Sequence, residues 1–103
     1  MQILINAGDV QTSDAINQHV HAEVEAALEI FRDRITRVEV YFHDVNGPKA
    51  GIDKQCLMEA RISGLQPLAV EHQAMDLYEA ITGAAGKLQR AVRSRLERLR
   101  DRA

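Results

Sequence analysis

The chain has 103 residues, 13 Lys and Arg against 15 Asp and Glu, a net charge of −2, one Cys, no Trp and 46% hydrophobic residues. That length suits a single domain (residues 1–103) burying roughly two-thirds of its unfolded surface, and one Cys excludes an intrachain disulfide framework. No stretch reaches the ~18 apolar residues of a membrane span, and Met1-Gln-Ile-Leu-Ile5 lacks a basic run before an apolar one, so a cytoplasmic protein without a membrane anchor is expected.

Residues 2–6 form a short β-branched run ending at the turn signal Ala7-Gly8-Asp9, which predicts a first strand. Thr12 or Ser13 can then cap a helix with Asp14 in its first turn. Ile16, Val20, Val24, Ala27, Leu28 and Phe31 fall within an arc of about 120°, predicting an amphipathic helix from Ser13 to Asp33. The period then drops to two. Val38, Val40 and Phe42 alternate with Glu39, Tyr41 and His43, so residues 36–43 read as a strand with one buried face.

Residues 44–51, Asp-Val-Asn-Gly-Pro-Lys-Ala-Gly, are turn formers and predict an exposed hairpin loop. Cys56, Met58, Ala60 and Ile62 form the inward side of a third strand, with Leu57, Glu59 and Arg61 outward. Ser63–Pro67 makes the next turn, and residues 68–72 a short fourth strand whose opening Pro suits an edge. Finally Leu77, Ile81, Ala84, Leu88, Val92 and Leu99 share a stripe roughly 80° wide. A helix from Met75 to Arg100 would be ~38 Å long, against ~20–26 Å for the strands. Its basic end, residues 87–103, should overhang the sheet, which accounts for Arg95 inside the apolar stripe.

The order β-α-β-β-β-α implies an α+β fold, double-stranded-RNA-binding-domain-like. A right-handed crossover sets strands one and two parallel, a meander completes a four-stranded mixed sheet of order 1-2-3-4, and both helices pack on one face. The other face carries Glu39, Tyr41, Glu59 and Arg61.

Catalytic patterns fail on inspection. His19 and His21 are about 200° apart on a helix and cannot share a metal, and His43 and His72 lie on different strands. Cys56 is inward and has no basic partner to activate it. Asp44-Val-Asn46-Gly47-Pro48 opens like a calcium loop but has Lys where that loop needs Gly and Gln55 where it needs Glu. Gly47–Gly51 is too short for a phosphate loop and lacks its Lys-Ser/Thr. Gly83 and Gly86 allow close backbone approach, to the sheet or to RNA. No enzyme, metal site or cofactor is expected.

Charge is unevenly spread. Residues 87–103 carry +5 and the first 86 carry −7. Lys87, Arg90, Arg93, Arg98 and Arg100 occupy the arc opposite the apolar stripe. Arginine forks bind phosphate bidentately and stack on bases, which suits a polyanion, and a solvated face complementing the helix C-terminus is the alternative.

Met1-Gln-Ile-Leu-Ile5, Phe31, Arg34-Ile-Thr-Arg-Val-Glu-Val-Tyr-Phe42, and Asp76-Leu-Tyr-Glu-Ala-Ile81 followed by Gly83, Lys87-Leu88, Arg90 and Arg93 together resemble one family. It comprises the ribosome hibernation-promoting factors and ribosome-associated inhibitors, also called sigma-factor modulation proteins, in their short form. The resemblance implies a non-enzymatic factor. It would bind the small ribosomal subunit, through ribosomal RNA and ribosomal proteins, in the mRNA and tRNA channel, and would inhibit or protect idle ribosomes in stress or stationary phase. No small-molecule substrate is implied. Carried over by position, the RNA-binding residues are Lys87, Arg90, Arg93, Arg95 and Tyr78, with Arg98 added from the basic arc.

The first helix departs from the pattern, with Glu23, Glu25 and Glu29 where members commonly place lysines. It then faces away from RNA, meets a basic ribosomal protein, or serves another partner. An adaptor acting through this acidic helix is the alternative function.

Overall fold

The computed structural model describes residues 1–45 and 52–102; most of the expected 44–51 loop, including the stretch weighed as a calcium or phosphate loop, lies outside them. The elements are β1 (Gln2–Asn6), α1 (Asp14–Leu28), a 3₁₀-helix (Glu29–Arg34), β2 (Ile35–Asp44), β3 (Lys54–Ile62), β4 (Leu68–Ala74) and α2 (Leu77–Asp101). The sheet runs β1-β2-β3-β4, with β1 parallel to β2 and the other pairs antiparallel. Both the strand order and the parallel β1–β2 pair expected from the sequence are therefore present.

Register follows the period-two pattern. Val40 pairs with Met58, Phe42 with Cys56, and Met58 with Val70. All face the helices, and α2 lies on β3 and β4 while α1 packs against α2. Val20, Val24 and Leu28 of α1 join Val38, Val40, Phe42, Met58, Ile81, Leu88 and Val92 in one apolar cluster. Each large side chain buried there stabilises the fold by about 1.5–3 kcal/mol.

Ser13 is the cap of α1, its Oγ accepting from Ile16 N at 3.2 Å. The helix does not reach Asp33. Its buried residues, 16, 20, 24 and 28, step by four, and that row winds slowly around an α-helix. Past Leu28 the next turn presents Ile30, 72% exposed, and nothing fully buried holds it. The chain tightens into the 3₁₀-helix, half-buries Phe31 and delivers Ile35 to β2. The strands run slightly longer than expected, β4 by two residues to the buried Ala74.

Gly83 packs directly on β4: a Cβ there would fall inside the His72 imidazole. Gly86 instead faces its own helix's Arg90, with Nη1 3.5 Å from where a Cβ would stand. Of the two close approaches, only the first is to the sheet.

Cys56 is fully buried in β3. Burial pushes its thiol up from an ordinary 9.0 to about 12. The group stays protonated at neutral pH, so a thiol reagent should label it slowly in the native protein and rapidly in denaturant. Fast native labelling would place it on the wrong face. The raised value also sets an alkaline limit. Above pH 9 the unfolded chain releases a proton that the folded chain keeps up to about 12, so stability is full below that window and declines across it. Cys56→Ala should flatten this decline in denaturant titrations.

Candidate nucleic-acid interface

Asp76 starts α2, its Oδ1 accepting from Glu79 N at 2.9 Å. The acidic residue Glu79 sits in the first turn and Arg98 and Arg100 in the last, as the helix dipole favours. Val92 is the last buried residue. Beyond it the helix continues about 14 Å to Asp101, with Leu96 partly buried against the core.

Among the described residues, the cations of the body other than Arg34 pair with carboxylates. Arg37 pairs with Glu39 at 3.2 Å, Lys54 with Asp44 at 2.6 Å, Arg32 with Glu29 at 3.4 Å and Arg61 with Glu59 at 3.9 Å. On the same outer face of the sheet, the Tyr41 hydroxyl donates to Glu39 Oε2 at 2.8 Å, which raises the phenol above its ordinary value. Among the described residues, none of the seven cations from Lys87 to Arg102 pairs with a carboxylate. The basic helix therefore carries an uncompensated field.

Those cations do not form one patch. Arg90 and Arg93 are exposed on the side away from the sheet, with Lys87 at its border, where Nζ donates to Glu71 O of β4 at 2.9 Å. Arg93 lies over the Phe31 ring, its guanidinium carbon 5.8 Å from the centroid. Such stacking orients the fork and leaves its N–H groups free in plane. Around this pair Ile30, Arg34, Leu96, Glu97 and Arg100 shape a cleft of about 470 Å³. Arg95 and Arg98 lie on the other flank. Arg95 Nη1 donates to Gln66 O of the β3–β4 turn at 3.3 Å, and both line a smaller hollow with Leu65, Leu99 and Arg102. Arg98, exposed at the edge of the outward arc, also borders this hollow beside Arg95.

Tyr78 stands apart from both groups, about 25 Å along the helix from Arg95. It is 44% exposed, and its ring meets His19 of α1 edge-on at 5.1 Å. His19 Nε2 lies 2.9 Å from Thr82 Oγ1, and that hydroxyl donates to Glu23 Oε1 at 2.6 Å. This clasp joins the two helices. It also uses Glu23, and Arg32 takes Glu29, so Glu25 is the carboxylate of the three that neither contact engages.

Arg34 and the Phe31 ring are parts of the basic surface that sequence reasoning did not assign. Phe31 showed as the last member of an apolar stripe and, with Arg34, among the residues of the family resemblance, but neither carried a signal for RNA contact.

The family model described as sigma 54 modulation protein / S30EA ribosomal protein matches residues 3–100. Among solved structures, the chain is similar to a ribosomal subunit interface protein from Coxiella burnetii. The TM-score is 0.80 at 18% identity, covering 94% of this chain and 99% of that one. It is also similar to the N-terminal domain of Protein Y from Thermus thermophilus. There the TM-score is 0.69 at 26% identity, over 89% and 96% of the two chains. No curated protein matches the chain.

Proposed function

Because the chain belongs to the sigma 54 modulation protein / S30EA ribosomal protein family, we propose that it binds the small ribosomal subunit at the mRNA and tRNA channel and inhibits or protects idle ribosomes. It acts in the cytoplasm, by occupying space and not by catalysis. The observation that carries this reading is the run of unpaired cations on α2, which an RNA surface would neutralise. Lys87, Arg90 and Arg93 make the outward contacts, Arg95 and Arg98 those beside the β3–β4 turn, and Tyr78 contacts at the helix start. The fold is shared with a ribosomal subunit interface protein and with the N-terminal domain of Protein Y, which agrees with this setting.

Co-sedimentation with separated ribosomal subunits tests it. The protein should travel with the small subunit at about 0.1 M salt, dissociate well below 1 M, and compete with mRNA or tRNA for the same particles. Sedimentation with large subunits alone, or with neither, overturns the reading. Glu25→Gln with Glu29→Gln separates it from an adaptor acting through α1. On the RNA reading binding is unchanged or tighter, because like charge facing phosphate is removed. Weaker binding in that variant would make the acidic helix the working surface.

A further inference from the structure

The two edges of the sheet are treated differently. β4 begins after Pro67, carries Glu71 and His72, and has its Glu71 carbonyl covered by Lys87 Nζ at 2.9 Å. Proline, charge and a covering side chain are the usual protections of an edge strand. β1 has none of them. Its sequence is Gln-Ile-Leu-Ile-Asn, uncharged and rich in β-branched residues. Among the described residues, no backbone hydrogen bond outside the β1–β2 ladder reaches Gln2–Asn6. The core is also thin here. Ile3 and Ile5, which face the helices opposite Val38 and Val40, are only half-buried, and Leu4 on the outer face is 39% exposed.

What can cover this edge is written in the strand itself. Read in either direction it presents amide, Ile, Leu, Ile, amide. An antiparallel pairing about a two-fold axis at Leu4 sets Leu4 against its own copy, Ile3 against Ile5 of the second copy, and Gln2 against Asn6. Every pair then joins like with like. The four isoleucines meet on the helix side, where the core lacks cover, and the two leucines meet on the outer face. We propose that β1 is a self-association edge, through which two copies of this chain join into a continuous eight-stranded sheet. Isologous pairing of this kind closes at two copies and leaves no further free β1 edge. Five paired residues span only about 17 Å. A seam this short buries far less than the roughly 1,200–2,000 Å² of a stable interface, so the dimer is weak and concentration-dependent. The helix α2 sits over β3 and β4, at the far side of the sheet, so its cations stay exposed in the pair.

Register makes the test sharp. Residues directly opposite in an antiparallel pair have Cα atoms about 4.5–5.5 Å apart, inside the range a disulfide bridges. Mild oxidation of Leu4→Cys should therefore give a covalent dimer. Asn6→Cys should not, because its copies lie about 13 Å apart along the joint. Mixing Gln2→Cys and Asn6→Cys chains should give only the mixed dimer. The native Cys56 is buried and adds no background. Cross-linking of Asn6→Cys as fast as Leu4→Cys, or of neither, overturns the proposal. Sedimentation velocity gives an independent reading. The average mass of the wild type should rise with concentration, while Leu4→Lys stays a monomer because two ammonium groups face each other across the axis. An unchanged melting temperature in that variant shows that the exposed position leaves the fold intact. A wild-type mass that stays at one chain up to about 1 mM also overturns it.

Discussion

Replacing Lys87, Arg90 and Arg93 together by Gln is expected to weaken ribosome binding roughly 100-fold at about 0.1 M salt. All three side chains are exposed on α2 and none pairs with a carboxylate among the described residues. Each cation set against a phosphate releases condensed counterions. Each such contact steepens the fall of log affinity with log salt by about 0.7–0.9, so losing three should flatten that slope by about 2–3. The fold should tolerate the change. The Lys87 bond to Glu71 O and the Arg93 contact with Phe31 are lost, and at exposed positions these shift stability by about 1 kcal/mol or less. Arg93→Gln alone also removes the stacking on Phe31, worth about 0.5–1 kcal/mol at an exposed site, so Arg93→Lys provides the control. It keeps the charge and loses the planar fork. A triple variant that binds as tightly as the wild type, with the same salt slope, removes α2 from the interface.

Gly83→Ala is expected to lower the melting temperature by roughly 5–10 °C, a net loss of about 1–2 kcal/mol for a domain of this size. Helix propensity alone predicts the opposite sign, since Ala is favoured over Gly in a helix interior by about 1 kcal/mol. The reversal comes from His72. The new Cβ would land in its imidazole, so either the ring must leave the space between β4 and α2 or the helix must rise. Overpacking of this kind typically costs about 1–3 kcal/mol. The same substitution in a His72→Ala background should be neutral or stabilising, because the ring is gone and propensity is left to act. A double-mutant cycle measures the coupling directly. A rise in melting temperature for Gly83→Ala in the native background would falsify the contact.

Element type and inward face were legible in this sequence because both follow from side-chain direction, which repeats every two residues in a strand and every 3.6 in a helix. Val38, Val40 and Phe42, then Cys56, Met58 and Ala60, all point where the alternation puts them. The sheet order follows from short connections and crossover handedness, which leave few alternatives. The long basic helix was legible too: its apolar stripe predicted Met75 to Arg100, and α2 runs Leu77–Asp101.

The tertiary structure decided how those parts meet, since contacts between distant segments leave no period in the chain. Helix α1 stops at Leu28, not Asp33, because entry into β2 outweighs propensity once no buried residue holds the next turn. Docking of the two helices draws Glu23 into the clasp with His19 and Thr82, so the acidic stretch is less available than its composition implies. The same docking brings Phe31 under Arg93 and adds Arg34 to the basic surface. It divides the arginines of α2 between two flanks, because past Val92 each side chain takes whichever neighbour is nearest: the 3₁₀-helix on one side, the β3–β4 turn on the other. Periodicity specified which residues face inward or outward, and only packing could specify which of the outward ones stand together.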